Sequence, residues 1–245
     1  MRSLATPRIT LEPQVASHAA EMFRILNDPA LYAFENEPPA SLEWLYARFQ
    51  KLESRRSADG SEQWLNWVIR FTDTSLIGYV QATILPDSTA GIAYVLSSAW
   101  WGKGLASEAV LTMCDELAAQ YGVRRFSAVL KRANLRSRRL LERLAFSPAS
   151  PEQLRHARLE PDELLMLRES SVPWVKPATA QPVERRKTAG GEIWSEHQKD
   201  LNPPETFFSL LAALVATSCK IAVSHRGTEI RAWNSEIGCA APGGA

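Results

Sequence analysis

Gly102, Lys103 and Gly104 stand inside "AWWGKGLASEAVLTMCDEL", Ala99 to Leu117. Apolar residues follow them at Ala106, Ala109, Val110, Met113 and Leu117, the spacing of one helix face. The first turn of a helix leaves backbone N–H groups without intrahelical partners, and the macrodipole adds partial positive charge there. Glycine lets the chain turn sharply and lets an anion approach the backbone. The segment is therefore suited to holding phosphate. It is not a P-loop, because Lys103 is followed by Gly104 rather than Ser or Thr. It is not the dinucleotide fingerprint either, since Ser107 occupies the third glycine position and no repeated parallel βαβ units surround it.

A second polar constellation lies downstream in "NLRSRRLLERLAF", Asn134 to Phe146. Asn134 reads as the N-cap of a helix whose Leu140, Leu141 and Leu144 face inward. Arg132, Arg136, Arg138, Arg139 and Arg143 cluster there. One or two of these guanidiniums could meet a phosphate; the rest read as a solvated helix face. Trp64 and Trp67 read as core before they read as the wall of a ligand pocket. Trp100 and Trp101 either cover or anchor the glycine turn. Cys114, in the middle of a helix, reads as core rather than nucleophile.

The remaining composition narrows the class. A formal net charge of +1 argues against a bulk nucleic-acid binder. The three cysteines (Cys114, Cys219, Cys239) are far apart, with no CxxC pair, so neither a disulfide framework nor a zinc site is expected. The four histidines (His18, His156, His197, His225) show no triad or metal spacing. No metal is expected. The amino-terminal "MRSLATPRITLEPQ" lacks a signal-peptide apolar core, and together with the cysteine usage this gives an expectation of a cytoplasmic protein.

The elements that must position these residues can be read in order. "RITLEP" is a short strand, and the next segment has a helical face at Ala19, Met22, Phe23 and Leu26. A second helix, "SLEWLYARFQKLESRRS", starts from Ser41 as N-cap and carries Trp44, Leu45 and Phe49. The prolines of "FENEPPA" separate the two. "QWLNWVIRFTDTSLIGYVQATIL" reads as a hairpin. One arm has Leu65, Trp67, Ile69 and Phe71 on one face; the other has Leu76, Gly78, Val80, Ala82 and Ile84 at alternate positions. "IAYVLS" extends the sheet before the glycine turn. Gly122 suits a helix stop. "VRRFSAVLKRAN" adds a strand with Phe126, Ala128 and Leu130 on one face, and "DELLMLRES" closes the sheet. An antiparallel meander feeding one crossover helix gives an α/β (α+β) fold with a mixed, mostly antiparallel central sheet flanked by helices.

The texture changes near residue 170. Residues 1–170 read as one domain, and 171–245 as a low-order extension rich in Pro, Lys and Glu. An apolar helix is expected at about 206–219; it is short of the roughly 20 residues that span a bilayer, so it is expected to dock on the domain or a partner.

At this point "WWGKGLASEAV" resembles the acetyl-coenzyme A motif of the GNAT superfamily of N-acetyltransferases, [RQ]-x-x-G-x-[GA], through Trp101, Gly104 and Ala106. Trp101 stands where Arg or Gln is commonest. "NLRSRRLLERLAF" resembles the family's N-x-x-S-x-x-L-x-x-x-x-G-F block through Asn134, Ser137, Leu140 and Phe146, with Ala145 in place of Gly. The form "WGKGxA(S/T)EA" is similar to the branch that includes the ribosomal-protein N-terminal acetyltransferases. The resemblance covers about residues 6 to 170.

The resemblance implies a GNAT fold whose sheet splays between "IAYVLS" and "FSAVLK" to take acetyl-CoA as cosubstrate. Pantetheine would pair with the backbone near Val95, Leu96 and Ser97, with Leu96 N–H at the oxyanion. Pyrophosphate would sit on the N–H groups of Gly102, Lys103, Gly104, Leu105 and Ala106, and Asn134 would help hold the pantetheine arm. The acceptor would be a primary amine, either a protein N-terminus or a small molecule, which attacks directly. The family's usual glutamate falls at Gly91 and its usual thiolate-protonating tyrosine at Leu141. Ser137 is the candidate acid; its other reading is a hydroxyl that contacts the coenzyme or its own helix. Glu35 or Glu37 in "FENEPP", or ordered water, would take the amine's proton. An acyl-CoA-binding module with little turnover is the alternative. A monomer or homodimer, without nucleic acid or membrane, is expected.

Overall fold

The computed structural model describes residues 1–34, 37–72, 74–155 and 157–170. Glu35, His156 and everything from Ser171 on, including the expected helix at about 206–219, lie outside the described residues. No described helix is long and apolar enough to cross a membrane.

The chain runs β1 (Leu4–Ala5), β2 (Ile9–Pro13), α1 (Ala19–Leu26), α2 (Leu42–Leu52), β3 (Gln63–Phe71), β4 (Ser75–Ile84), β5 (Thr89–Leu96), α3 (Leu105–Tyr121), β6 (Arg125–Lys131), α4 (Leu135–Arg143), β7 (Ser147–Pro148), α5 (Pro151–Leu154) and β8 (Glu163–Glu169). Among the described residues one eight-stranded sheet has the order β1-β2-β3-β4-β5-β6-β8-β7. All neighbours are antiparallel except β5 and β6. Helix α3 makes the crossover that a parallel neighbour requires. The mixed, mostly antiparallel sheet flanked by helices is as expected; the short pieces β1, β7 and α5 were not read from the sequence, because two to four residues carry no periodicity.

Apolar residues on the two faces of the sheet form two cores. Trp67, Ile77, Val80, Ile92, Met113, Leu117, Phe126 and Leu141 pack on the α3/α4 side. Met22, Leu26, Leu45, Phe49, Val68 and Leu76 pack on the α1/α2 side. The helices start and stop where their side chains dictate. Ser41 Oγ accepts the Trp44 N–H at 3.1 Å, and Gly122 closes α3 in the left-handed region at φ 68°.

One alternation is corrected. Leu76 does not share a face with Val80, Ala82 and Ile84: it packs on the α1/α2 side, and Ile77 takes the opposite one. The register slips between Ile69 and Arg70, which pair with Gly78 and Leu76, so Ile77 is the extra residue of a β-bulge. Gly78 is required there. A Cβ on it would lie 2.1 Å from the Val95 carbonyl oxygen.

Ala145, in the family's glycine position, sits in the left-handed region at φ 63°. It is the turn residue of a Schellman cap in which Phe146 N–H donates to Leu141 C=O at 3.0 Å. Relief of that strain outweighs glycine's larger unfolded-state entropy, so Ala145→Gly should stabilise the fold by about 0.5–1 kcal/mol. Urea denaturation checks this. A loss of stability would show that the alanine is unstrained.

Candidate active site

The β4–β5 ladder fixes which way each peptide of β5 points. Ser97 N–H donates to Ile77 C=O at 2.8 Å, and the Gly78–Leu96 to Ile84–Ala90 register is unbroken. By antiparallel alternation, Val95 and Ser97 turn their backbone groups to β4, while Tyr94 and Leu96 turn theirs away. On that far side β6 pairs with β5 only from Thr89 to Gly91. Both strands run on, to Leu96 and Lys131, but they diverge. The Tyr94 and Leu96 N–H groups therefore face a gap in the sheet. Of the three predicted residues Val95, Leu96 and Ser97, only Leu96 presents its N–H to it. Its carbonyl is held by the Trp101 indole N–H at 2.7 Å.

Beyond the gap lies the glycine turn. Gly102 and Gly104 adopt φ 75° and 77°, a conformation open to glycine and strained for other residues. Glu108 N–H donates to Gly104 C=O at 3.1 Å, so the N–H groups of Leu105, Ala106 and Ser107 precede the helical ladder of α3. The turn is latched from outside. Arg8 on the loop before β2 donates to Lys103 C=O at 2.9 Å and to the Glu108 carboxylate at 2.7 Å. Burial alone would raise the Glu108 carboxyl, but hydrogen bonds from Thr6 and Arg8 hold it below its ordinary range. Trp100 packs on Phe71 with ring centroids 4.4 Å apart. The Lys103 ammonium lies 4.4 Å over Trp100, and the Arg136 guanidinium 3.7 Å over Trp101. Both tryptophans anchor the turn.

Helix α4 brings the second block to the gap. Asn134 Oδ1 accepts the Ser137 N–H at 3.1 Å, so this oxygen caps the helix as the sequence suggests. Ser137 Oγ lies 2.7 Å from the Tyr94 hydroxyl. Sequence reasoning missed Tyr94, although its place in the strand beside the glycine turn was a signal. Burial pushes its phenol up to about 12. Leu141 is closed in the core. A Cβ on Gly91 would meet only Ser127 Oγ, at 3.8 Å, so packing does not demand glycine there. The arginine cluster divides: Arg136 stacks on Trp101, Arg138 pairs with Glu142 at 2.8 Å, and Arg132, Arg139 and Arg143 are exposed.

On the other face of β5, a cleft opens between α1, α2 and the sheet. Gln14, Tyr32, Glu37, Trp44, Tyr79 and Val95 are among its walls. Gln14 is buried, and its Nε2 has no hydrogen-bond partner among the described residues. Glu37 is the member of the acidic loop that reaches this cleft; Glu35 lies outside the described residues. Neither Trp64 nor Trp67 lines it. Trp67 is wholly buried, its indole donating to Arg2 C=O at 3.0 Å, and Trp64 donates to Glu62. Trp44 takes the aromatic place instead. Strand β5 thus divides two compartments, with Tyr94 and Val95 on opposite faces. Among the described residues no group of three His, Cys, Asp or Glu side chains is placed to hold a metal.

Cys114 is core, its thiol pushed by burial from 9.0 to about 12. Tyr94 rises from 10.0 to about 12 for the same reason. A raised folded-state value stabilises fully below the unfolded value, and that stability is lost as pH rises through the folded one. The urea midpoint should therefore hold steady to about pH 9 and fall between about pH 9 and 12. A midpoint unchanged at about pH 11 would contradict the burial of these two groups.

Comparison with known proteins agrees with this geometry. The model of the acetyltransferase (GNAT) domain matches residues 8–147. The uncharacterized N-acetyltransferase p20 of Bacillus licheniformis is 26% identical over 148 residues, covering 60% of this chain and 83% of that protein. RimL, a ribosomal L7/L12 alpha-N-protein acetyltransferase solved with coenzyme A, superposes with a TM-score of 0.57 at 18% identity, covering 68% of this chain and 96% of that one. The microcin C7 self-immunity acetyltransferase MccE, solved with acetyl-CoA and AMP, gives 0.56 at 19% identity, covering 67% and 94%. At these identities the two structures speak for the fold, while the domain match fixes the family. The chain belongs to the GNAT family of acetyltransferases.

Proposed function

We propose that the protein transfers the acetyl group of acetyl-CoA to a primary amine by direct attack within a ternary complex, as in the RimL-like branch. The observation that carries this reading is the gap between β5 and β6, with a latched glycine turn at its end. The N–H groups of Leu105, Ala106 and Ser107, with the turn from Gly102 to Gly104, are suited to pyrophosphate. The open edge of β5 is suited to the amide-bearing pantetheine arm, by the same pairing that adds a strand. Asn134, whose Oδ1 caps α4, keeps its side-chain NH2 for that arm. The residues present thus fit the cosubstrate.

In this reading Leu96 N–H donates to the thioester oxygen as charge gathers on it. The amine arrives from the cleft beyond Val95, where Glu37 attracts its positive charge and, through water, takes its proton. The new C–N bond forms as the C–S bond breaks and the electron pair passes to sulfur. Ser137 gives the departing sulfur a proton and regains one from solvent. The nitrogen gives up two protons in all, one to Glu37 before attack and one as the amide forms, so one is balanced by the proton on sulfur and the other is released to solvent. Acceptors of two classes fit a cleft with a carboxylate at Glu37 and a buried amide at Gln14: a protein N-terminus, the acceptor of RimL, and a small amine. Residues 1–170 carry this activity, with 171–245 as an extension.

The second reading, an acyl-CoA-binding module with little turnover, is favoured by Gly91 and Leu141, which leave the family's usual carboxylate and phenol unfilled. Thiol release from acetyl-CoA over a panel of peptides and amines separates the two. Acceptor-dependent release is expected; binding without release to any acceptor would favour the second. Gly104→Val should weaken acetyl-CoA binding at least about 100-fold by calorimetry with the fold retained, since a β-branched residue at a left-handed φ displaces the turn. Ser137→Ala should lower kcat about 100-fold. Undiminished turnover would remove Ser137 from its role.

A further inference from the structure

Beyond its place in the gap, Ser137 has a neighbour with no assigned role. The Tyr94 hydroxyl lies 2.7 Å from Ser137 Oγ and 3.4 Å from the Ser137 carbonyl oxygen. The serine is already fixed from below, its N–H donating to Asn134 Oδ1 at 3.1 Å. The phenol comes from β5, at the point where that strand has left β6. Helix α4 itself offers no phenol at the family's usual place, because Leu141 is packed in the core.

We propose that Tyr94 is a positioning residue that sets the direction of the Ser137 hydroxyl. This inference rests on the proposed role of Ser137 at the coenzyme sulfur. A serine hydroxyl has one proton and two acceptor lone pairs, and its rotor follows its partners. A phenol is the stronger acid of the two groups, so the shared hydrogen bond runs from Tyr94 Oη to Ser137 Oγ. The serine's own proton is then turned out of that bond and toward the gap. Accepting a hydrogen bond also makes the serine a better donor. Tyr94 keeps its proton throughout. Burial, which raises the phenol to about 12, favours that state, and exposed Arg143 is the charged group that pulls the other way. Without the phenol, Ser137 is free to turn back onto its own helix carbonyls.

The test titrates the thiol of bound coenzyme A by its thiolate absorbance, in the full chain and without an acceptor. A serine donor aimed at sulfur stabilises the thiolate and lowers the bound thiol below free coenzyme A. Tyr94→Phe keeps the ring and its packing. It should raise the bound thiol back by about half to one unit, Ser137→Ala by as much or more, and the double variant by no more than Ser137→Ala alone. In turnover, Tyr94→Phe should lower kcat about tenfold with KM for acetyl-CoA within about twofold. A bound thiol unchanged by Tyr94→Phe, or two effects that add, would overturn the pairing. The expected thiol shifts in a chain that acetylates no amine would support the pairing and overturn the proposed transfer instead. A wild-type chain that binds no coenzyme A would overturn both.

Discussion

The site depends on one interruption of hydrogen bonding. Strands β5 and β6 pair as parallel neighbours from Thr89 to Gly91 and then separate, although each continues for several residues. Buried backbone groups are rarely left without partners. In the proposed reading this open ladder is a binding edge, suited to a ligand that carries amide groups. The parallel geometry also forces the chain out of the sheet and back through α3, which delivers a helix N-terminus to the end of the gap. One topological fact supplies both a strand-like edge and a glycine turn at a helix N-terminus.

Holding that gap open takes support from both sides. On the β4 side, the bulge at Ile77 and the missing side chain at Gly78 let β4 approach the end of β5 closely enough for Ser97 N–H to bond Ile77. On the far side Trp101 ties down the Leu96 carbonyl, and Arg136 of α4 stacks on the same indole. Arg8 reaches from the amino-terminal segment to Lys103 and Glu108. Its pair with Glu108 is half exposed and adds little stability alone. Its effect is to fix the turn's geometry. The Trp101 substitution for Arg or Gln thus keeps a donor at the turn, now aimed at the strand.

How much of this was legible follows from where the information is local. The glycine turn, Asn134 as cap, Gly122 as stop and the buried Cys114 depend on residues within a few positions, and all were readable. The phase of β4 was not. A single extra residue at Ile77 puts Leu76 and Val80 on opposite faces, and nothing in an alternating apolar run marks it. Tyr94 was missed for a different reason: its meaning comes from Ser137, 43 positions away, on a helix whose docking periodicity does not specify. The cleft beyond Val95 joins residues from Gln14 to Val95, so Trp44 and Gln14 could not be singled out as its walls. Local chemistry was visible; contacts that depend on register and docking were not.

The central claim is that the open edge of β5 and the turn after it receive the cosubstrate together. Amide hydrogen exchange with and without acetyl-CoA reads both at once. The prediction is slowed exchange at Tyr94 and Leu96, which face the gap, and at Leu105, Ala106 and Ser107, with Val95 and Ser97 unaffected because they already bond β4. Acetyl-CoA that binds while the exchange of Tyr94 and Leu96 stays at the same rate would contradict it.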